Sequence, residues 1–251
     1  MNRFFGKSEN IFPDHIIIDG SDVNHIKNVL RMKTGDELIV AGGNNLEYAC
    51  EIKEFSEDKI VLGILDKREC DKELKASVHL FQGLPKADKM ELIIQKCVEL
   101  GVTEIIPVAM KRCVVRLDEK KSSAKINRWQ SISESASKQS GRTIIPKIHK
   151  VMSFKEAVEY AQTMDVRMIP YELCETMEDT KKSIDSIKPG CDVAVFIGPE
   201  GGFDLSEIET AMNNGIVPIS LGKRILRTET AGLMVMSIIM YHLETKDFCE
   251  E

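Results

Sequence analysis

The hydrophobic pattern changes character once along the chain. In the first seventy residues, short runs of alternating or continuous apolar residues bounded by turn residues predict strands at 15–18, 37–40, 46–52 and 59–65. One stretch has a different period: Val23, Ile26, Val29 and Leu30 recur at helical spacing, predicting a helix over 22–30 with Ser21 as its N-cap. Thr34-Gly35-Asp36 supplies a turn. Gly42-Gly43-Asn44-Asn45 is a hairpin signal, because glycine and asparagine accept the positive φ that tight hairpins require. Together these elements predict a small β-rich barrel. The stretch 66–75 (DKRECDKELK) has no apolar period and reads as a linker, so the chain divides near Lys72 into domains of 1–72 and 73–251.

Beyond that boundary strands and helices alternate. Strands are predicted at 78–82, 104–108, 168–170, 192–197 and 217–221, and helices at 87–100, 124–139, 154–163, 205–213 and 229–243. This alternation predicts an α/β domain with a mainly parallel sheet. The helix over 229–243 is apolar almost all round through Leu233, Val235, Met236, Ile238, Ile239, Met240 and Leu243. Such a helix is buried, and part of its surface is expected to form a two-fold dimer interface. The longest apolar stretch, 231–243, is too short and mixed to span a bilayer, and no apolar run follows a basic start, so neither a membrane nor export is expected.

Composition sharpens this picture at two points. Seven cysteines, odd in number and without a C-x-x-C pair, read as free thiols of a reducing compartment, which makes the cytoplasm the expected location. The five histidines show no zinc spacing, and no metal is expected. The net charge of −6 hides two opposed segments: 111–150 carries eleven Lys/Arg against three acids, whereas 151–215 carries thirteen acids against five bases. Phosphates are met by a local patch rather than by a total, so the basic segment, with Gln139, Ser140 and Arg142 in it, is a candidate RNA-facing surface.

The strongest chemical signal is the apolar run 193–197 followed at once by Gly198-Pro199-Glu200-Gly201-Gly202-Phe203. Asp204 and Glu207 then form a capping-box pattern. The glycines therefore lie in a strand-to-helix loop at the carboxyl edge of the sheet, where open α/β sheets bind ligands. A second strand–glycine–helix segment, Leu221-Gly222-Lys223-Arg224-Ile225-Leu226-Arg227-Thr228-Glu229-Thr230-Ala231, would converge on the same edge. Thr228 or Thr230 caps the final helix in this reading, and Arg227 is a buried-side arginine serving an anion. Neither loop has the Lys-Ser/Thr pair of a P-loop, and no G-x-G-x-x-G follows any strand.

These two loops, together with Arg3-Phe4-Phe5, the segments 25–31 (HIKNVLR) and 89–102 (KMELIIQKCVELGV), and Gln139-Ser140-Gly141-Arg142, resemble the RsmE family within the SPOUT class of methyltransferases over essentially the whole chain. Lys138 departs from the acidic or small residue common there. The resemblance implies a PUA-like amino-terminal barrel for RNA and a SPOUT-type α/β domain whose chain makes a trefoil knot. It also implies a homodimer that holds S-adenosylmethionine in the knot and methylates N3 of a uridine in 16S ribosomal RNA, free or in the assembled small subunit. The implied cofactor residues are Ile197, Gly198, Pro199, Glu200, Gly201, Gly202, Leu221, Gly222, Ile225, Leu226, Thr230 and Ala231, with Pro170 and Tyr171 from the preceding loop. Charge and the resemblance nominate Arg3, Arg31, Lys86, Lys89, Gln139 and Arg142 for RNA.

Uridine N3 carries a proton, so the transfer needs a base or a cation that favours the deprotonated ring. Arg227 and Glu229, adjacent at the mouth of the expected site, are the candidates. Three alternatives stand beside this reading: a ribose 2′-O-methyltransferase, a binding module without chemistry, and a nucleotide-dependent enzyme. The second would not need two glycine loops, and the third should show the phosphate motifs that are absent.

Overall fold

The computed structural model describes residues 1–43, 45–172, 174 and 176–246. The chain folds as two compact units, one made of Met1–Glu73 with Ser137–Ile145 and the other of Leu74–Ala136 with Pro146–Glu251.

The first unit is a five-stranded half-barrel in the order β1-β3-β4-β5-β2. Its strands are β1 (Arg3–Phe5), β2 (His15–Asp19), β3 (Glu37–Ala41), β4 (Leu46–Phe55) and β5 (Lys59–Glu69). Alternation sets the register: in β2, Ile16 and Ile18 point inward to a core shared with Phe4, Leu38, Val40, Ile52 and Leu62. The hairpin between β3 and β4 closes through Gly42 N–H to Leu46 O at 2.8 Å, with Gly43 and Asn45 at positive φ; Asn44 lies outside the described residues.

Three expectations for this unit change. The first four residues of the supposed linker are strand, because β5 runs to Glu69 against Leu46–Ala49, and residues exposed on both faces leave no apolar period to read. β1 is an addition, since three residues pairing in parallel with the distant β3 carry no local signal. The helix predicted over 22–30 is a single turn, α1 (Ser21–Asn24), running into a π-helical turn at His25–Val29. Its N-cap is Gly20 at φ +71°, not Ser21, and the wide turn puts Val29 out into solvent.

The second unit holds a seven-stranded parallel sheet in the order β12-β10-β11-β6-β7-β8, with β9 also on β7. The strands are β6 (Ser77–Gly83), β7 (Glu104–Ala109), β8 (Lys147–Ile148), β9 (Met152–Ser153), β10 (Val166–Pro170), β11 (Asp192–Ile197) and β12 (Val217–Ile219). Its helices are α2 (Lys89–Glu99), α3 (Glu119–Ser140, of which the residues from Ser137 on belong to the first unit), α4 (Phe154–Ala161), α5 (Glu178–Asp185), α6 (Leu205–Asn213) and α7 (Thr228–Lys246). The central β6 and β11 are buried on both faces, which is why they read as continuous apolar runs, and Phe81 stacks on Phe196 with ring centroids 4.4 Å apart.

Helix α2 starts two residues later than predicted because Ala87 sits at φ +52°, which no helix contains. Helix α5 is a further addition, unreadable in sequence because its buried residues are Thr180, Ser183 and a single Ile184. Lys96 and Glu99 form a surface pair at 2.8 Å. Among the described residues, Cys50, Cys70, Cys97, Cys113, Cys174 and Cys191 are unpaired, and Cys249 lies outside them. No described helix is long and apolar enough to cross a membrane, and no described cluster of His, Cys, Asp and Glu could hold a metal ion.

Candidate active site

Because β12, β10 and β11 are adjacent and parallel, the loops leaving their carboxyl ends emerge together. They enclose a cavity of about 660 Å³, the size of a small-molecule site. Pro170, Tyr171, Glu172 and Cys174 line it from β10; 197–203 line it from β11; 220–228 and Ala231 line it from β12 and the start of α7.

Local chemistry fixes each loop. Asp204 accepts from Ser206 N–H while Glu207 accepts from Asp204 N–H, the expected capping box, so α6 starts immediately after the first glycine loop. Gly202 at φ +67° and Gly222 at φ +95° adopt backbone that other residues resist, and a Cβ at either would meet open space, so conformation rather than room requires glycine. The Thr228 hydroxyl donates to Gly198 O at 2.6 Å, joining the second loop to the first. It is therefore not a helix cap, as the sequence suggested; that hydroxyl is committed to a carbonyl across the cavity floor.

The cavity can hold S-adenosylmethionine. The peptide groups of Leu221, Ile225 and Leu226 make no hydrogen bond among the described residues, so their edges are open to the amino and ring nitrogens of an occupant. Tyr171, Ile197, Leu221, Ile225 and Leu226 supply apolar walls, and Ile225 is 88% exposed, an apolar side chain that an occupant would cover.

A charged array borders the first loop. Lys89 Nζ lies 3.0 Å from Glu200 Oε1 and 3.4 Å from Glu229 Oε2, and Lys86 N–H donates to Glu200 at 3.0 Å. Burial pushes the Glu200 carboxyl up, but the Lys86 and Glu200 peptide N–H groups and Lys89 outweigh it and hold the group below its ordinary value. The Lys89 ammonium is raised, chiefly by its hydrogen bond to Glu200. Glu229 Oε2 is buried, and among the described residues it has the Lys89 ion pair but no further hydrogen-bond partner. Arg112 donates to Gly201 O at 3.2 Å and reaches Asp204, bracing the loop from outside.

Of the residues nominated for the cofactor, Pro170, Tyr171, Ile197, Gly198, Pro199, Glu200, Gly201, Gly202, Leu221, Gly222, Ile225, Leu226 and Ala231 come together on the cavity wall. Thr230 does not: it is exposed on the first turn of α7, outside the lining. Arg227 lines the rim but is exposed, not buried-side. Glu229 stands outside the lining, beside Lys89. Sequence reasoning passed over Glu172, Cys174, Phe203, Ser220, Lys223 and Arg224 on the wall. Five of them sit inside or directly beside segments already singled out, so taking each loop whole would have found them; Cys174, three residues past Tyr171, carries no such signal.

The RNA nominees separate by burial. Arg31, Lys86 and Gln139 are not buried, Arg31 standing at φ +54° directly after the π-helical turn. Arg142 is only 3% exposed and is bound to Glu73, whose other oxygen takes the Thr143 N–H at 2.8 Å. Arg3 is half-buried, its guanidinium paired with Glu47, and it donates to Arg142 O at 2.9 Å. Both arginines are corrected to internal struts of the first unit, since a largely covered guanidinium already paired with a carboxylate is not available to a phosphate. Lys138, the departure from the family pattern, pairs with Asp22 at 3.2 Å and lies over the Phe4 ring.

Comparison with known proteins agrees with this geometry. Residues 72–240 match an RNA methyltransferase domain family, and residues 18–65 match an RNA methyltransferase PUA domain. The chain is 37% identical over 230 residues to ribosomal RNA small subunit methyltransferase E of Bacillus subtilis, covering 90% of each. A Legionella pneumophila protein solved with the cofactor S-adenosylmethionine superposes with a TM-score of 0.82 at 31% identity, over 94% of this chain and 96% of that one. A ribosomal RNA small subunit methyltransferase E of Neisseria gonorrhoeae bound to S-adenosylmethionine does so with a TM-score of 0.81 at 30% identity, over 94% and 95%. With a domain match across most of its length and relatives alike from end to end, this chain belongs to the ribosomal RNA small subunit methyltransferase E family.

Proposed function

We propose that this protein transfers a methyl group to N3 of a uridine in 16S ribosomal RNA, free or within the small subunit, and that it works as a cytoplasmic homodimer. As a member of its family it is an S-adenosylmethionine-dependent ribosomal RNA methyltransferase. The observation that carries the finer reading is the cavity of open peptide edges with an exposed guanidinium, Arg227, in its lining and the carboxylate of Glu229, two residues further on and paired with Lys89, just outside that lining.

S-adenosylmethionine supplies an electrophilic methyl on a sulfonium, so placement provides much of the rate. The protein's own task is the N3 proton. Glu229 accepts it, while Arg227 stabilises the charge that develops on a uracil oxygen. Glu229 is prepared for this by Lys89, which lies between it and Glu200 and keeps two neighbouring carboxylates compatible in one place. Lys89 therefore serves these acids rather than RNA phosphate. RNA is held by Arg31, Lys86 and Gln139, with Lys223 and Arg224 beside the mouth.

The threaded connection implied by the family resemblance belongs to this proposal. The dimer is supported by the outer side of α7, where Leu233, Met234, Ile238 and Met240 are half-buried and Tyr241 is 69% exposed. Sedimentation as a monomer at micromolar concentration would contradict it.

Nucleoside mass spectrometry tests the chemistry. Small-subunit RNA from cells lacking the gene, treated with protein and S-adenosylmethionine, should gain 3-methyluridine. A 2′-O-methyl product would overturn the N3 assignment, and no product on RNA or assembled subunits would overturn the proposed substrate.

A further inference from the structure

A strand that belongs to neither glycine motif ends beneath both of them. Gln82, the penultimate residue of β6, is fully buried. Its Nε2 donates to Gly83 O and to Thr228 Oγ1, each at 2.9 Å, and the Thr228 hydroxyl in turn donates to Gly198 O. The direction of this chain is forced. A carbonyl only accepts, so the threonine proton is committed to Gly198, and the hydroxyl lone pair must then accept from an N–H.

Two further observations show that this is a built support. Gln82 Oε1 is buried with no hydrogen-bond partner among the described residues, a cost that an apolar residue of similar volume would avoid at the buried end of this strand. The residue is therefore kept for its two donors. Next to it, a Cβ on Gly83 would come within 2.7 Å of both Pro199 N and Pro199 Cδ, so the cofactor loop rests directly on the end of β6.

We propose that Gln82 is a positioning residue for the cofactor: through Thr228 it sets the placement of the Gly198 carbonyl, and with it the peptide edges of the loop that follows. The loop is thereby ordered before the cofactor arrives, and binding does not have to supply that ordering. Gln82 touches no reactant and acts only through Thr228 and Gly198.

The test is calorimetric titration of the full-length protein with S-adenosylmethionine. Gln82→Met and Thr228→Val should each weaken binding by about tenfold, whereas Thr228→Ser, which keeps the hydroxyl, should stay within about twofold of wild type. The Gln82→Met/Thr228→Val double variant should be no weaker than the worse single one, because both break the same chain of bonds. At saturating cofactor the turnover number of Gln82→Met, which lies outside the cavity lining, should stay within about threefold of wild type, so that the loss appears in KM. Wild-type affinity in Gln82→Met, or binding by Thr228→Ser as poor as by Thr228→Val, would overturn the proposal. If Gln82→Met does not fold, the two Thr228 variants decide alone: rescue by serine supports the proposal and equal weakness overturns it. The proposal rests on the pocket being the cofactor site and not on uridine N3. A wild-type protein that binds no S-adenosylmethionine would overturn the pocket, while an unexpected RNA product would leave the role of Gln82 standing.

Discussion

The two ends of the seven-stranded sheet are both polar, and they could hardly differ more in how their polar groups are used. At the amino end, Glu104 Oε2 is contacted by Tyr160 OH at 2.9 Å, His149 Nε2 at 2.9 Å and His79 Nδ1 at 3.3 Å, and the other nitrogen of His79 meets Asp192 at 3.0 Å. Burial pushes the Glu104 carboxyl up, but Tyr160 and the two histidines hold it below its ordinary value. The Tyr160 hydroxyl is pushed up to about 12, first by burial and then by Glu104. At the carboxyl end, by contrast, a void adjoins unused groups: among the described residues the Leu221, Ile225 and Leu226 peptides on its wall make no hydrogen bond, and Gln82 Oε1, outside the lining, has no partner. A cluster of titratable residues is not a site because it is charged; it becomes one where partners are missing and space adjoins them.

That contrast predicts opposite responses to substitution. The largest effect is expected at the mouth of the cavity. Arg227→Ala should lower turnover by about 10²–10³-fold while S-adenosylmethionine affinity and melting temperature hold, because it removes charge stabilisation needed only in the transition state. Undiminished turnover would remove Arg227 from the mechanism.

At the other end, Glu104→Gln should cost about 1–3 kcal/mol of stability, read by urea unfolding, with turnover unchanged below the transition. The same carboxylate gives a pH dependence with a definite sign. Its folded-state pKa is depressed, so its contribution is fully present above its ordinary value and is lost as pH falls through the lowered one. Wild type should therefore lose stability on acidification more steeply than Glu104→Gln. Parallel curves would show that the cluster contributes nothing through ionisation.

The smallest effect concerns RNA. Arg31→Ala should weaken binding severalfold and reduce the salt slope by about one, the signature of a lost phosphate contact. Arg142→Ala should instead destabilise the first unit by about 3 kcal/mol, since it leaves the half-buried Glu73 without its cation. A variant at Arg142 that stayed stable but lost RNA would return it to the RNA surface.

The sequence was most legible where period and punctuation coincide. β11 and α6 fall at their predicted bounds because a buried apolar run, a glycine loop and a capping box follow one another without a gap. Both glycine loops were legible for the same reason. What escaped depends on distant pairing or on burial, which a linear pattern does not carry. β1 exists only through β3, and Arg3 and Arg142 look like surface cations until Glu47 and Glu73 are brought to them. Thr228 read as a cap because its neighbours in sequence are a helix, whereas its partners, Gln82 and Gly198, lie at the ends of two other strands.

The central claim is that the void at the carboxyl end, and no other polar cluster of the second unit, receives the methyl donor. Hydrogen exchange of the full-length protein with and without saturating S-adenosylmethionine addresses it directly. Slowed exchange is predicted at the backbone amides of 198–203 and 221–228, with no change around His79, Glu104, His149 and Asp192. Protection centred on the amino-end cluster, or none at either glycine loop, would contradict the account.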